Sequence, residues 1–590
     1  MDMLKKQTLK ELLDNSNRLF PDKTALSFVG GAPLKYSEVY SLARDVSAML
    51  AFSGIRKGDR VAILSQNMPN WGIAYLSITS MGAIAVPILT EFKDREIKKI
   101  LDHSEANAII VSEKMAAKLK NSLPEHLHTV IVADDFSLAD RDRLQNSGSI
   151  SVKQAFSEWK TDISVTQDTS LQNAVRNDAG QDDTLRTSEP DEDDLAVILY
   201  TSGTTGNPKG VMLTHKNLVS NAINTGHIQE LTDKDRLLSV LPLSHTYECT
   251  IGFLIPFMNG SSVYYIEKPP TASVLIPAMQ EVKPTMMLTV PLIIEKVYKL
   301  QVLPKIQKSP VMRSLFKSPF FRRQIHKIAG KKLYKTFGGH LHFFGIGGAK
   351  LAADAEQFLR DANFPYAIGY GLTETSPLLA GCTPSLTRFR STGFSLPGQQ
   401  LKIDNPDPDT GEGEILAKGP NIMKGYYKDE EQTKKVFTSD GWFKTGDLGM
   451  IDKDNYLYIR GRLKNMVVGP SGENIYPEEI ESVINNQSMV LESVVYEMRG
   501  VLVARVHLNY EELEKYYGEL RQSARNMQVQ MNELVNEKLN EIKTKVNDEV
   551  NKFSRLSKII EQQSPFEKTP TQKIKRFLYQ KKEGLTREEA

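Results

Sequence analysis

The sequence predicts an α/β fold, and three observations predict it. Amphipathic helical patterns alternate with short apolar runs from Thr8 to Met115; those runs have the continuous character of strands covered on both faces; and near Arg460 the pattern gives way to a glycine cluster followed by a charged, mainly helical tail. Taken in order, Leu9 to Phe20 and Tyr36 to Gly54 read as amphipathic helices. Arg60-Val61-Ala62-Ile63-Leu64 and Ala108-Ile109-Ile110-Val111 read as short buried strands, and Thr129 to Ala133 as a third. Strands that alternate with helices favour a largely parallel sheet. After a polar stretch, Leu195-Ala196-Val197-Ile198-Leu199 supplies another buried strand.

A length of 590 residues leaves room for several domains, and 25% charged with 40% hydrophobic residues is ordinary for a globular protein. The formal net charge of +2 provides no bulk field for nucleic acid, so none is expected as a partner. Cys249 and Cys382 have neither CxxC spacing nor a neighbouring His/Cys cluster, which argues against a disulfide framework or structural zinc and fits a reducing compartment. The first residues lack the apolar core of a signal peptide, and the apolar runs around Ala74 to Thr90 and Ile251 to Ile266 are broken by Gly, Pro or polar residues. The expectation is a cytoplasmic protein that does not span a membrane.

Three segments depart from the average. The region of about 160–194 is poor in large apolar side chains and ends in Glu189-Pro190-Asp191-Glu192-Asp193-Asp194, which reads as an acidic, mobile surface insertion, either a plain solvated face or a regulatory one. Gln301 to His340 contains no Asp or Glu; its Lys and Arg residues are interleaved with Leu315, Phe316, Phe320, Phe321, Ile325 and Ile328. That mixture suits peripheral contact with anionic lipid at the inner membrane surface through 301–340, or a basic helical hairpin that turns its aromatics inward. In the tail, Leu513, Tyr517, Leu520, Ala524, Met527, Met531 and Leu534 follow a coiled-coil spacing that slips at Leu534/Val535 and resumes through Leu539, Ile542, Val546, Val550 and Phe553. A dimerising helix is one reading; long helices packed on a small terminal domain is the other, and the slip favours it.

The strand at Leu195 to Leu199 empties into Tyr200-Thr201-Ser202-Gly203-Thr204-Thr205-Gly206-Asn207-Pro208-Lys209-Gly210. Glycines let backbone N–H groups turn inward into an anion-binding concavity, hydroxyls add donors, and the lysine adds a mobile charge. The loop is not a Walker loop, because Pro208 stands where the second Gly should be and Lys209 is followed by Gly210. Nor does Gly345-Ile346-Gly347-Gly348-Ala349-Lys350 complete a dinucleotide fingerprint, since Lys350 occupies the last required Gly or Ala.

Further motifs follow in order: Leu241-Pro242-Leu243-Ser244-His245-Thr246-Tyr247-Glu248, the glycine run at Gly345, Gly369-Tyr370-Gly371-Leu372-Thr373-Glu374, Gly441 to Gly449 with Thr445-Gly446-Asp447, Arg460-Gly461-Arg462-Leu463-Lys464-Asn465, and Lys568-Thr569-Pro570-Thr571-Gln572-Lys573. With the phosphate loop, this series resembles the signatures of the adenylate-forming enzymes, which include acyl-CoA synthetases, luciferases and peptide-synthetase adenylation domains. The resemblance implies a large N-terminal domain of mixed α/β subdomains over 1–460 and a small, mobile C-terminal α+β lid over 461–590. It also implies roles. Thr201, Ser202, Gly203, Thr204, Thr205, Gly206 and Lys209 grip the pyrophosphate end of ATP, and His245 lines the carboxylate-binding mouth of the acyl pocket. The backbone at Gly347, Gly348 and Ala349 borders adenine and acyl chain. Tyr370 stacks on adenine, Thr373 touches the α-phosphate and Glu374 helps hold Mg²⁺. Asp447 accepts the ribose hydroxyls, Arg462 is a second ribose contact, and Lys573 is the catalytic lysine. Two positions depart from the family pattern: Asn465 stands where many members carry Asp, and Gln572 where Gly is usual.

The implied reaction activates a carboxylate as acyl-AMP and then passes the acyl group to CoA once the lid has turned at Lys464/Asn465. The Leu-Pro-Leu-Ser-His-Thr-Tyr-Glu motif and the basic insertion look most like long-chain fatty acid CoA ligases. The expected partners are a long-chain fatty acid, ATP and CoA, with Mg²⁺ as cofactor; acyl carrier protein is the alternative acceptor, and a non-catalytic lipid-binding or scaffold protein the alternative of a different class. Phe253, Met286, Met287 and Leu288 suit either the pocket wall or plain core.

Overall fold

The computed structural model describes residues 4–119, 123–139, 160–164, 189–202, 208–307, 309–469, 474–514, 529–569 and 573–580. The chain divides into two compact units, one of Met1–Leu351, Ala355–Leu401 and Ala417–Phe443, the other of Ala352–Asp354, Lys402–Leu416 and Lys444–Ala590. The fold is mixed α/β, as the alternation predicts.

Two large sheets dominate the first unit. In one, Tyr366–Ile368, Phe343–Ile346, Met286–Thr289, Arg236–Ser239, Ser262–Tyr265 and Thr24–Phe28 lie side by side and parallel, with Leu34–Lys35 antiparallel at the edge. In the other, Leu195–Ser202, Ile84–Pro87, Arg60–Leu64, Ala108–Val111 and Thr129–Val132 form the parallel centre. Helix Leu9–Leu19 starts where Thr8 accepts the Glu11 N–H, and Tyr36–Phe52 follows close to its expected bounds. The helix Pro69–Ser80 is apolar on every side because it contacts strands of both sheets. Gly72 makes that approach possible: a Cβ there would lie 2.8 Å from the Phe253 ring.

The second unit is α+β. The strands Val490–Met498, Val501–Leu508 and Lys558–Glu561 form a sheet, packed by Pro477–Asn485 and by the long helix Val529–Glu549. Val535, Leu539, Ile542 and Val546 of that helix bury their side chains with Ile480, Ile484, Val495 and Leu513. This is the packing of a long helix on a small domain; the part of the seam over 515–528 lies outside the described residues.

Of the acidic insertion, 165–188 lies outside the described residues, but its last residues are tied down. Lys57 Nζ meets Asp194 Oδ2 at 2.7 Å, Lys10 meets Glu189 at 3.3 Å, and the Gln7 N–H donates to Glu192 Oε1 at 2.8 Å. In the basic segment, Pro310–Lys317 and Pro319–Thr336 are helices, and their aromatics divide. Phe316 is half-buried with its ring against His326, whereas Phe320, Phe321 and Ile328 are exposed. Among the described residues no helix is long and apolar enough to cross a membrane.

Candidate active site

In the first unit the phosphate loop grows out of a hairpin. Leu195–Ser202 pairs antiparallel with Pro208–Thr214, which sets Lys209 opposite Thr201. Gly203, Thr204, Thr205 and Gly206, and the side chain of Ser202, lie outside the described residues. The returning strand is tightly held: a Cβ on Gly210 would fall 2.9 Å from Ile198 and 3.2 Å from Tyr427. Half-buried Lys209 donates from Nζ to Gln432 Oε1 at 3.1 Å, and its ammonium stands 5.2 Å from the centre of the Tyr426 ring. The Tyr426 hydroxyl in turn donates to Glu374 Oε1 at 3.0 Å.

Glu374 occupies the single 3₁₀ turn Thr373–Thr375, and that turn is braced from within and without. The Leu372 N–H donates to Thr375 Oγ1 at 2.9 Å, Asn421 Nδ2 to the Thr375 carbonyl at 2.7 Å, and the Met423 N–H to the Glu374 carbonyl at 2.9 Å. Among the described residues nothing hydrogen-bonds the other carboxylate oxygen of Glu374. That oxygen fits a hard divalent cation that takes a single protein carboxylate and completes its shell with phosphate and water. Just upstream, Tyr370 is buried in a strand pairing with Ala380. Its neighbour Gly371 admits no side chain, because a Cβ would come within 1.9 Å of the Pro377 carbonyl oxygen.

The glycine run follows strand Phe343–Ile346. A Cβ on Gly345 would meet Leu288 at 2.7 Å and one on Gly347 would meet the Tyr247 ring at 3.1 Å, while Gly348 turns with φ +87° and Ala349 is exposed. Tyr247 therefore presses on bare backbone. Two residues earlier, His245 Nδ1 accepts the Tyr247 N–H at 3.2 Å. With Nδ1 accepting, the proton of the neutral ring resides on Nε2, which makes that nitrogen a donor suited to a carboxylate. Tyr247, Ile251, Met286, Leu288, Phe343 and Ile346 help line an apolar cavity of about 40 Å³. Of the four apolar pocket candidates, Met286 and Leu288 line it, whereas Phe253 and Met287 are buried outside its lining. The next residue after Tyr247, Glu248, is buried, and its Oε1 accepts from Ser239 Oγ at 2.6 Å. Burial pushes its carboxyl up to about 8.

The second unit holds the other group. Asp447 and Arg462 face each other across the antiparallel strands Phe443–Ile451 and Leu457–Arg462, and Arg462 Nε meets Asp447 Oδ1 at 2.8 Å. Lys573 is exposed, but its backbone is fastened: the Thr569 N–H donates to the Lys573 carbonyl at 2.7 Å and the Lys573 N–H to Thr569 Oγ1 at 3.1 Å. Gln572 lies outside the described residues. Three residues on, Arg576 forks onto buried Glu481, with Nη1 to Oε1 at 2.6 Å and Nη2 to the other oxygen, and Nη1 also donates to the Val495 carbonyl at 3.3 Å. Burial raises the Glu481 carboxyl to about 7, against the pull of the guanidinium. Asn465 donates from Nδ2 to Glu478 Oε1 at 2.6 Å, and Arg576 Nη2 approaches that same oxygen at 3.8 Å. The departure at position 465 thus joins the network that carries the Lys573 segment.

Sequence reasoning brought Lys209 and Glu374 into the site but missed what joins them, Tyr426 and Gln432. It also missed Tyr247 as the wall of the cavity, Glu481 as the anchor of Arg576, and the pairing of Asp447 with Arg462. Tyr247 alone carried a signal, its place inside the His245 motif.

A family profile described as AMP-binding enzyme matches residues 13–427. Long-chain-fatty-acid–CoA ligase 3 of Saccharomyces cerevisiae is 30% identical over 519 residues, covering 83% of this chain and 74% of that protein. Long chain acyl-CoA synthetase 7, peroxisomal, of Arabidopsis thaliana is 27% identical over 515 residues, 82% of this chain and 69% of its own length. Among solved structures, ATP-bound MatB from Rhodopseudomonas palustris aligns with a TM-score of 0.69 at 23% identity over 96% of this chain and 98% of that one. O-succinylbenzoate coenzyme A synthetase (MenE) from Bacillus subtilis, in complex with ATP and magnesium ion, aligns with a TM-score of 0.69 at 22% identity over 96% and 98%. These two likenesses concern the fold.

Proposed function

The chain belongs to the AMP-binding enzyme family, and on that premise we propose that it joins a long-chain fatty acid to CoA through an acyl-AMP intermediate. The observation that carries this reading is the line Lys209–Tyr426–Glu374, which sets an ammonium and a carboxylate on two sides of one tyrosine beside the phosphate loop. The relatives named as long-chain ligases and the apolar cavity under Tyr247 support the substrate class.

A carboxylate is a poor acylating agent because its leaving group would be oxide. In the first step a carboxylate oxygen attacks the α-phosphorus of ATP and the bond to the bridging oxygen breaks, so pyrophosphate leaves with that electron pair. In the second the CoA sulfur attacks the acyl carbonyl, AMP departs and the thiol proton passes to solvent. The residues position reactants and neutralise charge. His245 orients the acid by donating from Nε2. Lys209 exchanges Gln432 for the β/γ-phosphates, which the hairpin backbone also binds. Glu374 would hold Mg²⁺, which when bound offsets phosphate charge, and Thr373 contacts the α-phosphate. Asp447, steadied by Arg462, takes the ribose hydroxyls, and Lys573 bridges the carboxylate and the α-phosphate. A long chain requires the cavity to widen, and flexible Met286 is the lining residue best able to yield. Two buried free cysteines are in keeping with a cytoplasmic setting.

The test incubates the protein with ATP, Mg²⁺ and either palmitate or a short-chain acid, and offers CoA or acyl carrier protein. AMP and palmitoyl-CoA are expected. Thioester on the carrier protein alone would move the reading to an acyl-carrier-protein ligase. Absence of AMP and of pyrophosphate exchange with every acid would leave a lipid-binding or scaffold protein.

A further inference from the structure

We propose that the outer face of the helices Pro310–Lys317 and Pro319–Thr336 docks on an anionic lipid surface, with Phe320, Phe321 and Ile328 entering the boundary between headgroups and acyl chains. This rests on the surface itself and holds whether or not the chain is a ligase. Pro310–Lys317 buries none of its residues. Val311 is 67% exposed, Phe320 66%, Phe321 45% and Ile328 75%, too many large apolar side chains on one basic surface to be incidental. Phe320, Gln324 and Ile328 repeat every fourth residue, so they share one side of the second helix with Phe321 close by.

The opposite side is already satisfied. His326 is buried, with Nδ1 at 2.9 Å from Asp361 Oδ2 and its ring against Phe358, and a Cβ on Gly330 would overlap Ala362 at 2.3 Å. The helix therefore does not need its outer apolar residues in order to pack. The charges divide the same way: inner Arg322 meets Asp361 at 3.5 Å, whereas Arg323, Lys327, Lys331 and Lys332 form no ion pair with any described residue. No carboxylate occurs from Gln301 to His340 to compete for them. A surface that mixes unpaired cations with exposed Phe and Ile matches a bilayer interface, where phosphates take the cations and the acyl boundary takes the apolar groups. Nucleic acid would satisfy the cations and leave Ile328 and Val311 in water.

The experiment is co-sedimentation of the full chain with vesicles of phosphatidylcholine, with or without phosphatidylglycerol. Binding is expected only with phosphatidylglycerol and should weaken with salt. Losing two cations in Arg323→Ser/Lys327→Ser should weaken it by roughly 30-fold. Phe320→Ser/Ile328→Ser should weaken it as well while keeping the charge. All four side chains are exposed, so equal thermal midpoints for variants and wild type will mark the loss as one of docking. Equal binding to neutral vesicles, wild-type binding by either variant, or displacement by duplex DNA with the apolar variant unaffected would overturn the proposal.

Discussion

Lys209 and Lys573, the two lysines at the centre of the proposed chemistry, are held in opposite ways. Lys209 rides a strand of the large sheet, and its side chain is parked on Gln432 and Tyr426. Lys573 presents an exposed side chain from a short segment whose backbone is stitched by Thr569 and anchored by the Arg576–Glu481 fork. The difference teaches that the two charges are suited to different work. A half-buried side chain held on the sheet is suited to receive a ligand that reaches it, whereas an exposed one on a fastened backbone is suited to reach toward a ligand.

Breaking the second lysine should have the larger effect. Lys573→Ala should lower acyl-AMP formation by roughly a thousandfold, the range for removing one preorganised charge from a transition state. Conversion of supplied acyl-AMP to thioester should persist; equal loss in both half-reactions would dissolve the contrast. Next comes the anchor. Arg576→Ala strands the buried Glu481 carboxylate and should destabilise the second unit by about 3 kcal/mol in urea unfolding. Adenylation should fall more than thioester formation, and Arg576→Lys should recover part of both. On the other side, Lys209→Ala should cost roughly tenfold in pyrophosphate exchange, because backbone donors share its task. Tyr426→Phe should cost less, and the double variant should fall short of the sum if tyrosine and lysine act as a pair.

The smallest effect concerns pH and belongs to the first unit. The folded-state pKa of Glu248 is raised from the ordinary 4.5 to about 8, so its contribution to stability is complete below about 4.5 and is lost as pH rises through about 8. Wild type should therefore lose about 1 kcal/mol between pH 7 and 8, seen as a falling thermal midpoint. Glu248→Gln keeps an oxygen for Ser239 and cannot ionise, so its midpoint should stay flatter over that interval. Parallel curves would mean that Glu248 already carries its charge.

The sequence made the scaffold legible where burial leaves a periodic trace. Continuous apolar runs marked Arg60–Leu64 and Ala108–Val111 as parallel strands, because both their faces are covered. The antiparallel return at Pro208–Thr214 left no such trace, since Pro208, Lys209 and Gly210 carry the chemistry of the loop rather than of a strand. Order along the chain singled out Lys209, Glu374, Asp447 and Lys573 as candidates, yet their partners are tertiary. Gln432 lies 223 residues from Lys209, and Tyr426 lies 52 from Glu374; no local pattern records either contact. The basic helices were ambiguous because spacing alone does not say which side of a helix the rest of the chain covers. Asp361, far along the sequence, makes the choice by capturing His326 and Arg322.

The clamped acidic run has a practical corollary. Where the chain enters strand Leu195–Ser202, the Lys57–Asp194 bridge and the Gln7–Glu192 bond fix its position, and at the far edge of the same sheet strand Lys160–Ser164 pairs with Ser137–Ala139. A reporter domain placed between Ser164 and Glu189 would leave both flanking anchors in place, so the phosphate hairpin should keep its register.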